Sequence, residues 1–200
     1  MQTGGTKKAS REDVALVAQA KAKHDVFRSV GGWRANTYRD DELLKQATAD
    51  NISIEISIKE QRGFLLVKNA IALDFPVATG KPSHPTPTGS FRVMEKELEY
   101  HSNLYGKITD ATGVVLVAEA NSRTDVVPEG AKFEGATMPF FMRLTDDGVG
   151  MHIGYVPGVP ASHGCIRLRK QTATTLFGLV KVGTPVTIAE NAPCLAVVVK

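Results

Sequence analysis

The chain reads as a mainly β fold with helices (α+β), a β-sandwich or open barrel behind an N-terminal helical extension. Apolar residues in the first fifty positions recur at helical spacing. From Asn51 the repeat shortens to two, with Ile52, Ile54, Ile56 and Ile58 alternating with Ser53, Glu55, Ser57 and Lys59. The rest is a series of short apolar runs punctuated by Gly and Pro, with one embedded helical stretch, which is the pattern of packed β layers.

The extension opens at Ser10, which caps a helix with Asp13 at the capping-box position and Val14, Val17 and Val26 on a similar face. Gly31 and Gly32 end it. Trp33 is expected to anchor the extension to the main domain, and Asp40 to Thr48 forms a second short helix with Leu43 and Leu44 inward. The boundary is placed near residue 50, giving an extension over 1–50 and a main domain over 51–200. Phe64 to Val67 and Ile71 to Phe75 flank Lys68-Asn69-Ala70 as a hairpin. Further strands are expected at Phe91 to Met94, Val114 to Ala118, Phe140 to Leu144, Val149 to Ile153 and Pro185 to Ala189, with a helix over Thr172 to Val180.

Composition narrows the function classes. Two hundred residues hold one core-bearing domain and a modest addition, and 42% hydrophobic with 22% charged residues fits an ordinary globular chain. A net charge of +3 without a basic tract argues against nucleic acid as a partner. No apolar run approaches the roughly 20 residues of a membrane span, and Met1 to Ser10 lacks the apolar region of a secretory signal. An export signal is therefore expected to be absent from this chain. Two cysteines cannot make a disulfide framework; Cys194 reads as a small packed side chain, which leaves Cys165 as the candidate reactive thiol.

Met151 to Leu168, MHIGYVPGVPASHGCIRL, carries the chemistry. His152 ends an expected strand thirteen residues before Cys165, and the Gly- and Pro-rich stretch between them must fold back. A thiol needs such a neighbour: its free pKa is about 8.5, and an adjacent imidazole helps form the thiolate that attacks carbonyls. Gly164 has no side chain and lets backbone N–H groups near Cys165 face a carbonyl oxygen, the requirement of an oxyanion hole.

Ser162-His163-Gly164-Cys165-Ile166-Arg167-Leu168 resembles the SHGCxR signature of the YkuD-type L,D-transpeptidases, and His152 matches the histidine upstream of it. Val77-Ala78-Thr79-Gly80-Lys81 and Thr86-Pro87-Thr88-Gly89-Ser90-Phe91 resemble further family stretches, so the likeness spans about 52 to 190. It implies a YkuD-like fold, Cys165 as acyl-enzyme nucleophile, His152 as general base, and backbone donors from His163, Gly164 and Cys165. Arg167, Ser162, Tyr155 and Gly154 are the implied substrate contacts, with Arg167 either positioning the turn or meeting a carboxylate. The implied substrates are peptidoglycan stem peptides, cut between an L-centred third residue and D-Ala. Attack by a stem amine gives a 3→3 crosslink, attack by water a carboxypeptidase, and attack by a lipoprotein lysine an anchoring enzyme. Carbapenem-type β-lactams are the implied covalent inhibitors, no cofactor or metal is implied, and the setting is periplasmic or otherwise extracytoplasmic.

Blander readings stand beside these. His163 equally suits a hydrogen bond that holds its turn. His84 and His101 read as exposed loop residues, Phe140-Phe141 as core, Tyr155 as part of a mobile loop, and Thr79-Gly80 and Thr86 to Gly89 as turn formers. His152, His163 and Cys165 also make an incomplete zinc set, the basis of a metallohydrolase reading. A catalytically silent wall-binding domain is the other alternative.

Overall fold

A computed structural model describes residues 10–196. Expectations for the first nine residues, including the missing signal-like segment, lie outside the described range.

Helix α1 spans Arg11–Ser29 and starts with the expected reciprocal cap: the Asp13 amide donates to Ser10 Oγ at 3.1 Å and the Ser10 amide to Asp13 at 3.2 Å. Its inward face differs from the one expected. Val14 and Val26 are exposed, while Ala20 and His24 are buried and Leu16, Val17 and Phe27 pack beside them. The helix is rotated because a buried carboxylate, Asp74, draws His24 inward at 2.7 Å. Among the described residues no helix is long and apolar enough to cross a membrane.

A 3-10 turn at Trp33–Ala35 leads to strand β1 (Tyr38–Arg39) and to the single-turn helix α2 (Asp41–Leu44), capped by Asp40. Then come β2 (Ile52–Ser57), β3 (Arg62–Val67) and β4 (Ala70–Ala78). The β3–β4 hairpin turns on Lys68 and Asn69, both at positive φ (49° and 66°), as the favoured two-residue turn requires. Next are β5 (Gly89–Arg92), β6 (Glu95–Thr109), β7 (Val115–Asn121), β8 (Lys132–Arg143), β9 (Gly150–Ile153) and β10 (Ile166–Leu168). Helix α3 (Lys170–Leu179) and β11 (Pro185–Ala189) follow. The strands run in the order β5-β11-β2-β3-β4-β10-β9-β8-β6-β7, with β1 added to β4. The architecture is mainly β with helices, as expected.

The main core joins β2, β3, β4, β9, β10 and β11 to Leu43, Ala173 and Leu176 from the helices. Strands β6 and β7 and the first part of β8 extend beyond it as an arm, while Met142 of β8 joins the core. The sequence reading missed β6 because its fifteen residues, EKELEYHSNLYGKIT, are mostly polar on both faces.

The extension is part of this sheet. β1 pairs with β4 through Tyr38–Asp74 and Arg39–Leu73, next to where β10 pairs through Leu168–Val77 and Arg167–Ala78. Asp74, 0% exposed, accepts from His24, from Arg28 Nε at 3.0 Å and from Arg62 Nε at 2.6 Å. Arg62, 1% exposed, also donates to the carbonyls of Arg34 and Asn36 at 2.9 Å each. Trp33 lies beneath the guanidiniums of Arg28, Arg34 and Arg62.

Candidate active site

β9 and β10 pair in parallel, Ile166 with Met151, Arg167 with His152 and Leu168 with Ile153. Paired residues of parallel strands point to one face, and that face recurs every second residue. His152 and Arg167 therefore share a face, and Cys165, just before β10, lies on it one step earlier. Residues 154–165 supply the crossover a parallel pair needs, without a helix.

The turn carrying Cys165 is braced from two sides. Ser162 Oγ donates to the Cys165 carbonyl and accepts the Gly164 amide at 3.1 Å. From the other side Thr86 Oγ1 donates to the Gly164 carbonyl at 2.7 Å and accepts the Gly80 amide at 2.8 Å. The Thr79 carbonyl accepts the amides of Ala161 and Ser162 at 2.9 and 3.0 Å. Thr79 itself is fixed by Gln61, through its amide at 2.9 Å and its hydroxyl at 2.7 Å. Gly164 sits at φ +115°, a conformation that disfavours any side chain, and a Cβ on Gly80 would lie 2.0 Å from the His84 carbonyl oxygen.

These contacts place the residues singled out from the sequence. Ser162 is 1% exposed and its hydroxyl works inside the turn. The Gly164 amide is committed to Ser162, whereas the amides of His163 and Cys165 make no hydrogen bond within the described residues. Gly154 lines the cleft, and Arg167 Cγ and Cδ would lie 2.9 Å from any Cβ there. Tyr155 is 77% exposed and stands outside the cleft lining.

Burial governs the protonation states. His152 Nδ1 donates to the Ile153 carbonyl at 2.8 Å, which leaves Nε2 as the bare nitrogen. Burial lowers its pKa to about 4 with some help from Arg167, so the ring is neutral at pH 7. The Cys165 thiol is pushed up by burial, opposed by the Gly150 amide and by Arg167 and Arg143. Its sulfur lies 3.7 Å from the Gly148 carbonyl. The resting pair is thus a neutral thiol and a neutral imidazole in one cleft, with the thiol directed at a carbonyl.

The cleft measures about 460 Å³ and is walled by Cys165, His152, His163 and Arg167 together with residues the sequence did not single out: Tyr100, Tyr105, Met138 and Asp147. Tyr105 comes from residues 102–105, where β6 loses its register with β8. Its ring stacks on His163 at 4.7 Å, and His84 meets the His163 edge at 4.9 Å. Burial, Lys81 and His84 lower the His163 pKa. His84, expected as an exposed loop residue, is a wall of this site, and only its Pro-rich setting gave a hint. Cys194 is half-buried and lies elsewhere, its amide donating to Glu55 at 2.7 Å.

Comparison with known proteins agrees with this geometry. Residues 51–188 match the family model described as the L,D-transpeptidase catalytic domain. L,D-transpeptidase 1 of Mycobacterium tuberculosis (strain H37Rv) is 33% identical over 158 residues, covering 74% of this chain and 54% of that protein. Probable L,D-transpeptidase 3 of the same strain is 28% identical over 120 residues, covering 58% of this chain and 38% of its own length. The chain thus spans about half or less of the length of these curated relatives. Among solved structures, L,D-transpeptidase LdtMt1 in complex with imipenem superposes with a TM-score of 0.52 at 25% identity, over 70% of this chain and 59% of that one. An L,D-transpeptidase from Mycobacterium smegmatis shares the fold, with a TM-score of 0.53 at 21% identity over 70% of this chain and 58% of its own. With the match covering the strands that hold the Cys165 turn and His152, this chain belongs to the YkuD family of L,D-transpeptidase catalytic domains.

Proposed function

We propose that this protein is a cysteine acyltransferase acting on peptidoglycan stem peptides in the extracytoplasmic envelope, with a Cys165 thioester as its intermediate. The observation that supports this best is the bare Nε2 of His152 on the same sheet face as Cys165, beside two uncommitted amides. A base with Nδ1 anchored is oriented to take the thiol proton as sulfur attacks. Because burial keeps both groups neutral, charge separates only when a substrate carbonyl replaces water in the cleft.

The L-centred carbonyl of the third stem residue is attacked by Sγ, and its oxygen turns to the amides of His163 and Cys165. His152 then passes its proton to the departing D-Ala amine, and the thioester remains. The Arg167 side chain makes no hydrogen bond among the described residues and is the cation we assign to a stem carboxylate. Imipenem is bound in the structure of the relative, and we take carbapenems to acylate Cys165 in the same position.

Intact mass spectrometry of the protein with a defined tetrapeptide muropeptide tests the proposal. A thioester adduct and D-Ala release are expected for the parent and neither for Cys165→Ala. Parental D-Ala release by Cys165→Ala would refute it.

A further inference from the structure

Among the described residues lining the cleft there is one carboxylate, Asp147, and one guanidinium, Arg167. They lie on opposite sides of the sulfur. Arg167 pairs with His152, two residues beyond Cys165 along β10. Asp147 precedes Gly148, whose carbonyl is 3.7 Å from Sγ, and both precede the start of β9 at Gly150. Since β9 and β10 run parallel, the Asp147 turn lies off the end where Cys165 sits, away from Arg167.

Asp147 is a set piece of this wall. Thr145 Oγ1 donates to its Oδ1, and the same hydroxyl accepts the Val149 amide at 3.0 Å. The Gly148 amide closes the turn on the Thr145 carbonyl at 3.2 Å. The nearby cation, Arg143, is occupied by Glu95 at 2.6 Å and lies over the rings of Tyr100 and Phe141. For the nucleophile alone Asp147 is a handicap, because its charge opposes formation of the thiolate. Its charge has a use in the second half of the reaction, when the sulfur is acylated and a cationic acceptor arrives.

We propose that Asp147 determines acceptor specificity by seating the ammonium of a primary amine, such as the side-chain amine of a second stem, beside the Cys165 thioester. The site thereby favours aminolysis over hydrolysis. This rests on the reading of Cys165 as acyl carrier. The ammonium releases one proton to water, and its nitrogen forms a C–N bond to the thioester carbonyl. The C–S bond breaks and its electron pair returns to Sγ. The second nitrogen proton passes through His152 Nε2 to the sulfur, so that amide, thiol and one free proton result.

The test acylates the whole protein with a tetrapeptide stem, adds an acceptor stem bearing a free amine, and measures crosslinked against hydrolysed product by mass spectrometry. Asp147→Asn is expected to lower that ratio about tenfold, through a higher acceptor KM, without slowing acylation. Asp147→Glu should keep most of the parental ratio, and 1 M salt should move the parent toward Asp147→Asn. An unchanged ratio in Asp147→Asn, with acyl-enzyme formed normally, overturns this inference alone. A parent that forms no acyl-enzyme from the stem removes the proposed function and this inference together.

Discussion

The hydroxyl of Thr86 donates to the carbonyl of Gly164 at 2.7 Å, joining two segments 78 residues apart, and the same oxygen accepts the Gly80 amide. Thr86→Val keeps the shape but leaves two buried backbone groups unpaired, at a cost of roughly 2 kcal/mol. Because the lost bonds hold the Cys165 turn, the proposed carbapenem acylation at saturating drug should slow about tenfold to a hundredfold. Stopped-flow acylation beside urea denaturation measures both; a variant acylated at the parental rate would show that the brace is dispensable.

His152 makes stability depend on pH. Its folded pKa is depressed from 6.5 to about 4, so between those values the unfolded chain takes up a proton that the folded chain refuses. Stability present above pH 6.5 should therefore decline as pH falls toward 4, by roughly 3 kcal/mol from this ring. His152→Gln lacks this component. Urea midpoints at pH 7 and pH 4 should converge for parent and variant at the acid end; parallel slopes would refute the assignment.

Asp74 is buried against Arg62, Arg28 and His24. Asp74→Asn leaves the buried Arg62 guanidinium without its counter-charge, while Arg28 keeps Glu60 at 2.9 Å, and breaking such a buried pair typically costs roughly 3–5 kcal/mol. Hydrogen exchange over 11–29 should accelerate more than over β2, since α1 is held largely through this cluster. Equal acceleration everywhere, or none, would contradict that.

Two glycines should behave oppositely. A Cβ on Gly80 meets fixed backbone, 2.0 Å from His84 O and 2.8 Å from Thr86 N, so Gly80→Ala should destabilise the fold and abolish acylation. On Gly154 it meets the Arg167 side chain, Cγ and Cδ at 2.9 Å and Cβ at 3.1 Å, so Gly154→Ala should still fold but displace that side chain and raise the KM for the stem peptide several-fold. Thermal melts with donor kinetics separate the two outcomes.

Much of the site was legible because it is local. Cys165, His163 and Gly164 share one turn, and His152 lies at the end of a strand with readable alternation. Asp147 and Tyr105 were not legible, since a hairpin turn and a lapse in strand register bring them to the cleft, and the brace that Thr86 gives Gly164 was hidden because the two lie 78 residues apart. The neutral state of His152 was equally hidden, because burial, which spacing does not encode, sets it. In the fold, the Ile52 to Ile58 alternation marked β2, whereas β6 escaped notice because the arm exposes both faces. The inward face of α1 was misjudged because a histidine, rather than a valine, is its deepest side chain.

β1 and β10 lie end to end along one edge of β4, and the family match begins at residue 51, after β1. A fragment cut at that point would strip part of this edge of its cover and leave Asp74 without its helix partners. Bare backbone beside an ion pair, Asp74–Arg62, stripped of its cover invites pairing with other chains. Expression trials begun at residue 51 are accordingly expected to yield more aggregate than trials that include the first helix.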